Sequence, residues 1–131
     1  MKTRSAHTLL AVIGLFVLSL IFAGTAAANK SSVEIVAPDN AAIGSEITVT
    51  LQVSHSGNNF LHYTEWVYVK INKEEIKRWE FSMFNKSEDE RFSRSITYTV
   101  TGPLEIAAEA SCNIHGSTGI ATKVVQVRQG K

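Results

Sequence analysis

Residues Glu46 to Ser54 read Glu-Ile-Thr-Val-Thr-Leu-Gln-Val-Ser, with an apolar side chain at every second position. In an extended chain, successive side chains leave opposite faces. This spacing puts Ile47, Val49, Leu51 and Val53 on one face and polar groups on the other, the pattern of a half-buried strand. The same signal recurs along the chain: Val33 to Ala37 before Pro38-Asp39, Glu65 to Ile71, Glu74 to Phe81, Arg94 to Val100, Leu104 to Ser111, and the closing Ala121 to Val127. Asn72 and Lys73 suit a tight turn between the third and fourth of these runs. No segment has a convincing 3.6-residue period. The expected fold is therefore all-β: a seven-stranded, immunoglobulin-like antiparallel β-sandwich. Asn85 to Arg91, Asn-Lys-Ser-Glu-Asp-Glu-Arg, reads as a solvated charged connection.

The N-terminus has a different character. Lys2 and Arg4 precede an apolar run from Leu9 to Ala23, and Ala26, Ala27 and Ala28 follow. A positive head, an apolar stretch and small residues make a secretory signal peptide over residues 1–28. The run is shorter than the roughly 20 residues that cross a bilayer. An uncleaved membrane anchor is the alternative. Cleavage would release a periplasmic or otherwise exported domain, residues 29–131, with no further membrane contact. Losing Lys2 and Arg4 from 13 basic residues leaves 11 against 12 acidic ones. That balance, without a basic cluster, excludes a nucleic-acid binder on electrostatic grounds.

Export sharpens the meaning of the single cysteine, Cys112. One thiol cannot close an internal disulfide. In an oxidising compartment it pairs between molecules, reacts, binds a metal, or is simply a buried small apolar group. Cys112 shares strand parity with Leu104, Ile106, Ala108 and Ala110, so its sulfur faces inward where the chain turns at Asn113 and Gly116. His115 lies on that turn. His55 and His62 bracket the loop after the strand that ends at Ser54. Loops at one end of a sandwich can meet in space. Together these would gather every histidine outside the leader around the one cysteine. Neutral imidazoles with a thiolate suit iron, copper or zinc.

These residues also carry a resemblance. His62-Tyr-Thr-Glu-Trp66, the hairpin that follows, and Cys112-Asn-Ile-His-Gly116 resemble the iron domain of superoxide reductases, the neelaredoxin and desulfoferrodoxin family, from about Lys30 to the C-terminus. The resemblance implies a mononuclear iron, ferrous or ferric, one per chain. His55, His62 and His115 would be its equatorial ligands and Cys112 the axial thiolate, in the manner of the one-iron members. It implies an oxidoreductase that reduces superoxide to hydrogen peroxide, with an external electron donor. Lys30 matches the lysine of the family's Glu-Lys-His-x-Pro stretch and would act in catalysis by drawing in the anion. Backbone N–H groups after Cys112 would bond the sulfur and adjust the metal. Trp66 would pack beside the site.

The sequence departs from the family pattern at several points. Ser31 stands where a further histidine is usual, the His-Pro loop reads His-Ser-Gly, and no aromatic follows Gly116. A non-catalytic metal-binding or electron-transfer module on the same frame is the alternative. Iron or copper would serve there, since histidines with a cysteine also form blue-copper sites, although no methionine follows Cys112. A sandwich that has lost its metal is a third reading. The sequence leaves a homo-oligomer open.

Overall fold

The computed structural model describes residues 29–128; the leader assigned to residues 1–28 lies outside the described residues. These residues form strands and no helix. The strands are β1 (Ser32–Val36), β2 (Asn40–Ala42), β3 (Glu46–Ser54), β4 (Thr64–Ile71), β5 (Glu74–Glu80), β6 (Arg91–Thr99), β7 (Leu104–Cys112) and β8 (Ala121–Arg128). One sheet has the order β1-β3-β6, the other β2-β8-β7-β4-β5.

Seven of the strands are the expected ones. The eighth, β2, is only three residues long and pairs in parallel with β8, through Ala41 and Val127. The frame is therefore eight-stranded with one parallel edge, not seven-stranded and wholly antiparallel. Strand β2 lacks the length to show a period. Strand β6 begins three residues before the expected Arg94, because Phe92 continues its inward series.

The inward side chains of both sheets make one core. Val49, Leu51, Val67, Val69, Ile71, Leu104, Ile106 and Val125 are fully buried within it. Burial of each of these larger side chains stabilises the fold by about 1.5–3 kcal/mol. The register follows the alternation, with Val49 opposite Ile96 and Val67 opposite Ala110. Asn72 and Lys73 both take positive φ, 49° and 74°. That is the left-handed pair of a two-residue hairpin turn.

Strand direction defines the two ends of the molecule. Strand β3 ends at Ser54, β7 ends at Cys112, and both termini lie at the same end. The chain before β1 crosses between the sheets there. Ser31 bridges Ser117, donating its N–H to Gly116 O at 3.2 Å and accepting from Thr118 N at 2.9 Å. A β-bulge in β4 falls at this end too: Thr64 faces Cys112 and Trp66 faces Ser111, with Glu65 unpaired between them. The extra residue switches parity, so Thr64 and Val67 both point inward.

Candidate metal centre

Cys112 is buried, on the inner face of β7 as its parity requires. After it the chain folds back on itself. Cys112 N donates to Gly116 O at 2.9 Å, and Gly116 N returns the bond to Cys112 O at 3.1 Å. Gly116 makes this possible with φ of 77°, which a side chain would disfavour. The tight turn aims two backbone N–H groups, from Ile114 and His115, at Cys112 Sγ, each at 3.4 Å. These are the bonds expected from the sequence. Donation to a sulfur ligand withdraws electron density and tunes a metal's potential.

The His55–His62 loop folds against this turn. Asn59 Oδ1 accepts from the N–H groups of Leu61 and His62, closing the loop locally. Asn113 then ties it to the cysteine turn: Oδ1 accepts from Tyr63 N at 3.0 Å, Nδ2 donates to Leu61 O at 3.0 Å, and Asn113 N donates to Tyr63 O at 3.1 Å. Gly57 leaves the space for the His62 ring, because a Cβ there would lie 2.4 Å from His62 Nδ1.

The result is a convergence of donor atoms. One ring nitrogen from each of His55 and His62 and the Cys112 sulfur all lie within 4.8 Å of one another, close enough to hold a metal ion. His62 Nε2 is 3.1 Å from His55 Nε2 and 3.1 Å from His115 Nδ1. His115 joins from the solvent side, with Nδ1 3.9 Å from Cys112 Sγ. The structure thus brings together all four residues that the sequence nominated as ligands. Burial depresses the pKa of His55, and the neighbouring His62 adds to the effect. Its imidazole is therefore neutral at physiological pH, the form a metal requires. His55 Nδ1 is buried with no hydrogen-bond partner among the described residues.

Lys30 is not part of this cluster. It is exposed, and it lines a polar cavity of about 230 Å³ together with His55, Ser56, Glu90, Arg91 and Thr118. Ser31 is fully buried nearby, but its hydroxyl is engaged with Thr64 Oγ1 at 3.0 Å. Trp66 stacks on Tyr68 with ring centroids 5.6 Å apart, in keeping with a packing role.

Three contributors to the site were not legible in the sequence. Asn29 O lies 3.2 Å from His55 Nε2, and Asn29 Oδ1 accepts from Ser56. Gly57 has a local signal, a glycine one residue beyond the His-Ser pair, but its contact with His62 needs the loop's closed shape. The charged connection Asn85–Arg91 is not merely solvated: Glu90 O accepts from His55 N, and Ser87 O accepts from Asn58 Nδ2. Both bonds use backbone carbonyls, which side-chain charge does not reveal.

The sequence profile of the desulfoferrodoxin family matches residues 24–118. This chain belongs to the desulfoferrodoxin family. Membership brings non-haem iron chemistry of the superoxide reductase type at the level of the family. Solved structures agree in fold. A variant of the superoxide reductase (neelaredoxin) from Ignicoccus hospitalis is 20% identical, with a TM-score of 0.67 over 80% of this chain and 86% of that one. A second structure of that reductase is 20% identical, with a TM-score of 0.61 over 76% of this chain and 82% of that one. The CARDB domain of a Pyrococcus furiosus protein, in complex with di-metal ions, is 23% identical, with a TM-score of 0.59 over 76% and 94%. No curated protein matches the sequence.

Proposed function

We propose that this desulfoferrodoxin-family protein is an exported, mononuclear iron oxidoreductase that reduces superoxide to hydrogen peroxide. Its ligands are His55, His62, His115 and Cys112, on one iron per chain. The observation that supports this reading is that two ring nitrogens, from His55 and His62, and the Cys112 sulfur lie within 4.8 Å of one another, with His115 Nδ1 3.1 Å from His62 Nε2 and 3.9 Å from Cys112 Sγ. Imidazole and thiolate together are a donor set for a borderline-soft transition metal.

Iron held there would supply the single electron that turns superoxide into peroxide; two protons complete the product, and an external donor restores the electron. The protein's own groups perform the rest. Cys112, fixed by two N–H donors, holds a constant sulfur geometry at the buried side. His115 and His62 border solvent, so a small anion reaches the site without a lid. Lys30, in the polar cavity beside His55, attracts that anion and carries a proton toward it. The leader, residues 1–28, delivers the domain to the periplasm. The two-sheet frame is read as an immunoglobulin-like sandwich, on the support of its shared core.

One observation favours a second reading, a non-catalytic iron or copper electron-transfer module. Ser31 offers no further nitrogen, and its hydroxyl is already committed to Thr64. The two readings separate in a single assay. Ferrous-loaded protein given superoxide should yield hydrogen peroxide with no dioxygen released, and Lys30→Ala should slow this and flatten its salt dependence. Metal-loaded protein that yields no peroxide, or that turns intensely blue with Cu(II), supports the electron-transfer module instead.

A further inference from the structure

Nine large apolar side chains are exposed among the described residues, and six of them sit on the loops around the candidate metal centre: Phe60, Leu61, Met83, Phe84, Ile114 and Ile120. Phe84 is 86% exposed and Leu61 76%. Phe60 and Phe84 meet edge to face with centroids 6.4 Å apart, so two separate loops present one aromatic ridge. Lys86 caps the ridge, with its Nζ 4.7 Å from the centre of the Phe60 ring. Aromatic and aliphatic groups flanked by a lysine make the composition of a membrane interface.

The path of the chain gives the same direction. Asn29 is fastened at this end, against His55 and Ser56. Immediately before it, Gly24 to Ala28 separate the domain from the apolar run Leu9 to Ala23. Five residues span at most about 17 Å. In a chain that retains its leader, the apolar run Leu9 to Ala23 therefore joins the domain at the end that carries the exposed ridge.

We propose that this end of the protein docks on a lipid bilayer, with Phe60, Leu61 and Phe84 entering the interface and the metal centre held close above it. The loop charges are mixed, with Glu88, Asp89 and Glu90 near Lys86 and Arg91, so apolar insertion rather than headgroup charge drives the contact. The surface belongs to residues 29–128 and is present whether or not the leader is removed. It runs against the expectation of no membrane contact after cleavage, and the experiment below decides between the two. It does not depend on the metal or on superoxide chemistry, so either proposal can fail alone.

The test uses tryptophan as a depth probe in the full chain, reconstituted with phosphatidylcholine vesicles brominated on the acyl chains. Phe84→Trp and Phe60→Trp report on the ridge. Ile43→Trp reports on an exposed site at the other end of β3, about 26 Å away. Wild-type emission from Trp66 and Trp79 is subtracted. The expected result is a blue shift and bromine quenching at positions 84 and 60, with neither at 43. Equal quenching at all three positions, or no quenching at 84 and 60, overturns the proposal. So does a blue shift at 84 that tracks protein concentration without lipid, which would assign the ridge to a second copy of the chain.

Discussion

Gly57 and Asn113 show how the centre depends on residues that are not ligands. At position 57 any side chain would collide with the His62 ring, since its Cβ would sit 2.4 Å from Nδ1. Gly57→Ala should displace that ring and weaken metal binding roughly ten- to a hundredfold, the usual effect of disturbing a ligand's support. Titration with Zn²⁺ against a competing chelator measures this directly. Asn113 acts by tension rather than space, with two side-chain bonds holding the His62 loop to the cysteine turn. Asn113→Ala removes both and should cost about 1–3 kcal/mol of stability in thermal unfolding. Metal affinity should fall with it, because His62 loses its fixed distance from Cys112.

At the scale of elements, the bulge in β4 is the decisive departure from simple alternation. It lets Thr64 face Cys112 while Val67 still reaches the core. The loop Ser82 to Glu90 is held in a different way, by Glu88 and Arg94 in a paired contact at 2.8 and 2.9 Å. Arg94 also lies over the Phe81 and Phe92 rings, at 5.3 and 4.8 Å. Its guanidinium pulls the Glu88 carboxyl down from 4.5 to about 2. A lowered folded-state pKa means stability that is present above the ordinary carboxylate value and lost as pH falls from 4.5 toward 2. Glu88 is 60% exposed, so solvent screening limits the pair to about 1 kcal/mol or less. Glu88→Gln should therefore destabilise slightly at neutral pH, and the two proteins should converge in acid denaturation as pH approaches 2. What the sequence revealed at this scale was whatever rests on neighbours: the alternating strands, the Asn72-Lys73 turn, the inward parity of Cys112. Strand β2, the bulge at Glu65 and the anchoring of Asn29 against His55 depend on partners far away in the chain, and a local pattern carries no trace of them.

For the whole molecule, a sandwich with one core presents its working parts at one end, where loops from both sheets and the entering chain meet. Strand ends fix which loops share that end, and His55, His62, Cys112 and His115 lie near one another there. Lys30, expected in catalysis from the resemblance, lies to the side of the cluster, in the cavity beside His55, and the residues before β1 have no period from which that position could be read. Because the donors come from the end of β7 and the loops beside it, which the metal would tie together, binding should also stabilise the fold by mass action, by about 2.7 kcal/mol at a hundredfold excess over Kd. The central claim is that one sulfur and three imidazoles grip the same ion. X-ray absorption at the iron edge of the ferrous-loaded protein tests it most directly. The expected result is one iron per chain with a single sulfur neighbour that Cys112→Ser removes, among nitrogen neighbours that His62→Ala reduces. An iron shell containing only oxygen and nitrogen in the unaltered protein would contradict it.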